Sequence, residues 1–328
     1  MNLVTATSEA IARGAEIIRS GGLVAFPTET VYGLGADAFN ALAVARIFEV
    51  KDRPQFDPLI VHVAEKKMVD ALCTAVSDRA QTLIDRFWPG PLTLVLPKRD
   101  VVPDIVTAGL PTVAVRMPAH PVALMLIEQS RTPIAAPSAN PFGYLSPTSA
   151  EHVAEYLGDK VDLILDGGPC PIGVESTVLD VTQPEATVLR PGGLPVEEIE
   201  RAIGEVRMVT GDVDEPQSPG QLPHHYAPRT PIHILTANEW PVETGKKIGL
   251  LAFRRPDRTG PFTLVEVLSE KGDLREAAAR FFSCLHRLDK AGLDLIVAEP
   301  VPEVGLGRAI MNRLSKAAGR HARPEGRR

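Results

Sequence analysis

Cysteine is scarce in this chain of 328 residues: there are three, Cys73, Cys170 and Cys284, far apart and odd in number. They exclude a disulfide framework and a CxxC zinc knuckle, and they point to a reducing compartment, the cytoplasm. No apolar run approaches the roughly 18 residues of a membrane span. Met1 to Ser8 lacks the basic stretch and apolar core of a signal peptide, so none is expected and no membrane is a partner. Catalytic signatures are equally thin. There is no P-loop, dinucleotide fingerprint, HExxH or GxSxG. No motif sets Cys or Ser beside His as nucleophile and base. Positive charge is short in the first part: residues 1–205 hold 16 Lys and Arg against 26 Asp and Glu, a balance of −10, which argues against a general nucleic-acid grip there. Residues 206–328 hold 19 against 15, a balance of +4.

What is there suits a globular protein. Hydrophobic residues at 44% supply a core, and the length suggests two domains. Glycine (26) and proline (30) are plentiful without a Gly-X-Y period, which rules out collagen and implies many structured turns. No repeat is visible. The clearest break is Gly211–Pro231, with five prolines and almost no aliphatic residues, unable to form a regular helix or central strand. At about 20 residues it is long for a plain connector. The expected organisation is residues 1–205, a linker or lid at 206–231, and residues 232–328.

Patterning predicts helices from Ser8 to Gly21, over Ala41–Val50, Ser77–Phe87 and Val122–Gln129. Strands are expected at Leu23–Pro27, Pro58–Val63, Leu92–Leu96, Thr112–Arg116, Ile134–Ala136, Leu163–Leu165, Thr177–Val181 and Thr187–Leu189. Strands outnumber helices, so the fold class is α/β with a twisted mixed sheet and flanking helices. After the break, strands at Ile232–Leu235, Lys247–Ala252, Thr263–Val267 and Leu293–Val297, with helices at Leu274–Leu288 and Ala309–Ala317, form a smaller α/β unit.

The polar segments at strand ends carry the chemistry. Pro27–Gly35 packs hydroxyls, a carboxylate and two glycines after a buried strand, which suits a small polar ligand or a simple turn. Lys51 and Arg53 suit a phosphate clamp, and equally the C-terminal dipole of a helix. Alternation sets Thr112, Ala114 and Arg116 on one face of a strand. A buried Arg there calls for an anion, either a structural carboxylate or a substrate's. Ala135–Asn140, Glu175–Thr177 and Leu189–Gly193 place small or basic groups at further strand ends. Many cations and hydroxyls with few acids or bases suit positioning of a phosphate-bearing ligand.

The motifs PTETVYGLG (27–35), KDRP (51–54), PLIVHV (58–63), WPGPLTLVL (88–96), VAVRMP (113–118), APSAN (136–140), ESTVLD (175–180) and LRPGG (189–193) resemble the YrdC-type threonylcarbamoyl-AMP synthases. SPGQLPHHYAP (218–228) and GLGRAIMNRLSKAA (305–318) resemble the linker and C-terminal domain of their long, two-domain form. The resemblance implies a YrdC-like catalytic domain and a Rossmann-like C-terminal domain. It implies a cytoplasmic nucleotidyltransferase of tRNA processing, joining L-threonine, bicarbonate and ATP into L-threonylcarbamoyladenylate with release of pyrophosphate. A downstream tRNA threonylcarbamoyl transferase takes the product; direct tRNA contact is left open. Thr30, His62, Arg116 and Ser176 match threonine positions. Arg53, Asp57, Thr112, Ala136, Ser138, Ser146, Arg190 and Tyr226 match ATP positions. Lys51, Arg53 and His62 are the implied catalytic groups, with Mg²⁺ entering on the triphosphate rather than in a protein cage.

Two positions depart from the family pattern: Asp57, where Asn is frequent, and Gln221-Leu222-Pro223, where a Met and a basic residue are frequent. Other readings are a carbamoyl-adenylate-forming enzyme, against which the lack of CxxC pairs counts, and a double-stranded RNA-binding module without catalysis. A further expectation is that Gly211–Pro231, carrying His224, His225 and Tyr226, closes over the nucleotide.

Overall fold

The computed structural model describes residues 2–209, 216–222, 225–236, 245–256 and 260–319. Two compact units emerge: Met1–Phe142 with Ser146–Leu222, and Gly143–Leu145 with Pro223–Arg328. The Pro-rich segment is thus divided between them, and its residues 211–215, Pro223 and His224 lie outside the described residues.

The first unit is built on a mixed sheet of eleven described strands. Their order is Leu3–Thr5, Leu163–Asp166, Val24–Phe26, Gly33–Asp37, Ile134–Ala135, Ile60–His62, Thr112–Arg116, Leu92–Pro97, Thr177–Asp180, Thr187–Arg190 and Arg207–Met208. Ile60–His62 runs parallel to Thr112–Arg116, which is antiparallel to Leu92–Pro97. The expected alternation holds: Val61, Leu94, Val113 and Val115 pack into the main core, while Ile60, Val95 and Ala114 join a separate cluster with Val178 and Leu189. That second face carries His62, Thr93 and Arg116.

Helix Ser8–Arg19 packs on helix Pro121–Ser130 through Ile11, Ala15, Ile18, Leu126 and Ile127. Its N-cap is Thr7, whose hydroxyl accepts from the Ala10 amide at 3.2 Å, so the helix that starts at Ser8 is capped by the residue before it. A Ser or Thr fits either position, and extended backbone at Thr7 decides. Gly33–Asp37 is a strand, although its first three residues belong to the segment Pro27–Gly35, whose composition suits a ligand loop or a turn. Its glycines serve close packing: a Cβ on Gly35 would lie 2.7 Å from both the Phe26 ring and Ile134.

The second unit has four described strands, all parallel, in the order Ile232–Ile234, Leu295–Ala298, Ile248–Ala252 and Leu264–Val267. Helices Leu274–Lys290 and Leu306–Gly319 pack together, and Phe281, Phe282 and Leu285 are fully buried. All three cysteines are free and buried. Among the described residues no helix is long and apolar enough to cross a membrane.

Candidate active site

The site grows from three neighbouring strands and the loops that leave them. Register sets His62 beside Arg116, and the next strand presents Thr93. Arg116 is 3% exposed. Its Nε donates to the Gly90 carbonyl at 3.2 Å, its Nη1 to the Thr30 hydroxyl at 2.9 Å, and its Nη2 lies 2.7 Å from Glu29 Oε1. Thr30 in turn shares a 2.8 Å hydrogen bond with Thr28, whose hydroxyl accepts from the Thr30 and Val31 amides and so holds the turn. Of the two anions left open by the sequence, the structure supplies the structural one, Glu29.

His62 is 4% exposed, and its Nδ1 has no hydrogen-bond partner among the described residues. Burial, with the adjacent Arg116 cation, pushes its pKa down to about 3. The imidazole is therefore neutral at physiological pH, suited to orienting or accepting from an amine. The unfolded chain takes up this proton near pH 6.5 and the native one does not. Stability from this group is complete above that pH and declines toward pH 3. Denaturant titration should show wild type losing about 2 kcal/mol more than His62→Asn between about pH 7 and about pH 5. Equal losses would contradict a buried neutral imidazole.

Thr93 and Ser176 share a 2.7 Å hydrogen bond. Arg190 grips the same corner: Nη2 donates to the Ser176 carbonyl at 2.8 Å, and Nη1 donates to Pro219 at 3.0 Å. The described stretch 216–222 of the Pro-rich segment thus folds onto the strand end carrying Arg190, within the first unit. The Leu189–Gly193 loop crosses Ser176 so closely that a Cβ on Gly192 would sit 2.3 Å from the Ser176 carbonyl carbon and 2.4 Å from two backbone oxygens. Backbone cannot yield as a flexible side chain does. Gly192→Ala should lower stability by about 2 kcal/mol, roughly 5 °C in Tm, and displace Ser176. An unchanged melting curve would refute that packing.

A second cluster lies where helix Ala41–Lys51 ends. Asp52 adopts a left-handed C-cap and turns the chain back. Lys51 is 1% exposed, yet its ammonium serves no carbonyl of its own helix end: it donates to Ser138 O at 2.6 Å and to Asn140 O. Burial and the nearby Arg53 push its pKa well below the ordinary lysine range. Arg53 is ion-paired with Asp57 at 2.8 Å and donates to Pro58 O at 2.9 Å, with its guanidinium over the Phe142 ring. The unusual Asp57 carboxylate is taken up by Arg53, so its charge is offset inside the loop.

Ala136 leaves its strand with its amide bonded to Ile60 O at 2.9 Å, beside His62. The Ser146 hydroxyl donates to the Glu175 carboxylate, and Thr112 stands half-buried at its strand's start. Tyr226 belongs to the second unit, at φ 65°, with Arg313 over its ring and Phe282 at 5.9 Å. The structure thus gathers Thr30, His62 and Arg116, links Ser176 to Arg190, and ties Lys51 to the Ser138 loop. Sequence reasoning gave no role to Glu29 or Thr93. A lone hydroxyl in the apolar strand Leu92–Pro97 was the available signal for Thr93.

Residues 16–192 match the Sua5–YciO–YrdC family, described as "Telomere recombination", and residues 194–319 match "Threonylcarbamoyl-AMP synthase, C-terminal domain". The chain belongs to the threonylcarbamoyl-AMP synthase family. It is 50% identical to the threonylcarbamoyl-AMP synthase of Pyrococcus abyssi, covering 93% of each chain. With that of Bacillus subtilis it shares 45% identity over 94% of this chain and 93% of the relative. The crystal structure of P. abyssi Sua5 complexed with L-threonine superposes with a TM-score of 0.90 at 48% identity, covering 95% of both chains. Family membership agrees with the order of the motifs along the chain.

Proposed function

We propose that this enzyme joins L-threonine, bicarbonate and ATP into L-threonylcarbamoyladenylate, releasing pyrophosphate, for threonylcarbamoyladenosine modification of tRNA. The observation that carries the reading is the full-length likeness to an enzyme solved with L-threonine, joined to a buried Arg116–Thr30 pair beside a neutral histidine.

In this reading the threonine carboxylate docks on Arg116, and Thr30 and Ser176 face the rest of the amino acid. Neutral His62 orients the amine, which adds to carbon dioxide derived from bicarbonate and releases a proton. One oxygen of the resulting carbamate attacks the α-phosphorus in line. The bond from that phosphorus to the β-bridging oxygen breaks, and pyrophosphate departs with the electron pair. Lys51, Arg53 and Arg190 offset the developing charge, and Ala136, Ser138, Ser146, Thr112 and Asp57 complete the nucleotide contacts. Mg²⁺ would be held by phosphates and water, since Asp57 is committed to Arg53. The product is a mixed anhydride prone to hydrolysis, which suits prompt transfer to a tRNA threonylcarbamoyl transferase in the cytoplasm.

Pyrophosphate release from ATP tests this. It should require both L-threonine and bicarbonate and be weaker with serine, by about ten- to a hundredfold, as one methyl group allows. Release independent of threonine would refute it.

A further inference from the structure

The Arg116–Glu29 contact is incomplete in a telling way. The charges stand 2.7 Å apart, close enough for a strong ion pair. Yet neither Glu29 oxygen nor Arg116 Nη2 makes an aligned hydrogen bond among the described residues. Glu29 is 6% exposed, and its side chain 8%. A buried carboxylate whose one close partner is a misaligned cation regains only part of the hydration it has lost. Arg116 meanwhile spends Nε and Nη1 on Gly90 and Thr30. Side by side, therefore, stand unsatisfied N–H donors and an unsatisfied anionic acceptor.

We infer that Glu29 receives the ammonium group of the amino-acid substrate, so that Arg116 and Glu29 together form a receptor for a zwitterion. The inference rests on the reading of this site as the threonine pocket. An α-amino acid carries a carboxylate and an ammonium on one carbon, the complement of adjacent guanidinium and carboxylate. Charge balance agrees. A neutral zwitterion meeting a neutral pair leaves no net buried charge, whereas an acid lacking the ammonium would bury an uncompensated negative charge. Glu29 thus selects for the amino group that must later carry the carboxylate. It also anchors that group within the turn that carries Thr30. Burial lowers the pKa of both His62, beside Arg116, and His120, near Glu29, and raises that of the Cys170 thiol, so none of the three supplies a competing charge.

The test is calorimetric titration of the full chain with L-threonine and with (R)-β-hydroxybutyrate, the same skeleton without the amine. Wild type should bind L-threonine at least about thirtyfold more tightly. Glu29→Gln should bring the two affinities within about threefold, both by weakening threonine and by freeing Arg116 for a bare carboxylate. Glu29→Asp, which keeps the charge, should retain about tenfold or more. Discrimination unchanged in Glu29→Gln would make Glu29 a structural counter-ion and overturn the inference. Should that variant fail to fold by circular dichroism, the wild-type ratio decides alone, and a ratio under about threefold overturns it. Loss of the broader reading is distinguishable, because wild type would then show no heat with L-threonine at all.

Discussion

Lys51→Met should slow product formation by about a hundred- to a thousandfold while leaving L-threonine affinity within about threefold. Methionine keeps the length and apolar stem of the side chain and removes only the ammonium. That ammonium bridges two carbonyls, Ser138 O and Asn140 O, from the loop that follows strand Ile134–Ala135. Its loss removes a cation beside Arg53 and frees the loop that presents Ser138. Both effects fall on the part of the site proposed to hold the nucleotide, and neither touches Arg116. Single-turnover rates at saturating threonine read the first effect, and calorimetry reads the second. A rate within about tenfold of wild type would remove Lys51 from the charge-stabilising set.

Arg116→Met should weaken L-threonine binding by at least about thirtyfold, with ATP affinity within about threefold. The variant also strands Glu29, a buried anion losing its cation, so Tm should fall as well. The two consequences separate in a double variant. Adding Glu29→Gln removes the stranded charge and should recover much of the Tm without recovering threonine binding. If threonine binding returned together with stability, Arg116 would be a scaffold residue and not a ligand to the carboxylate.

These expectations rest on features that were unevenly legible in the sequence. Strand Thr112–Arg116 was fully readable, since period-two alternation marked both its ends and its faces. Helix Leu274–Lys290 and the four described strands of the second unit were readable to within two residues at either end. Gly33–Asp37 was not, because two glycines read as a turn until Phe26 is known to pack across them. Helix Val196–Ile203 carries a readable signal, an apolar stripe between Pro195 and Gly204, that eight residues of length make easy to pass over.

Within the site, residue types were legible and partnerships were not. Arg116 on a small-residue face demanded an anion, but Glu29 lies far away in sequence, and only the fold brings them together. The same holds for Lys51 with Asn140 and Thr93 with Ser176, separated by 89 and 83 positions. The helix-end position of Lys51 fitted a plain dipole contact, and its burial against another loop decides otherwise. Such contacts depend on strand order and register, which local pattern does not encode.

In the reaction proposed here the enzyme builds a carbamate on threonine and transfers adenylate to it. The direct measurement is mass spectrometry of the product formed from ATP, L-threonine and carbon-13 bicarbonate. Threonylcarbamoyl-AMP should be heavier by a single mass unit than the product from ordinary bicarbonate, with the label in the carbamoyl carbon. Formation of threonyl-AMP without the label, or of carbamoyl-AMP without threonine, would contradict it.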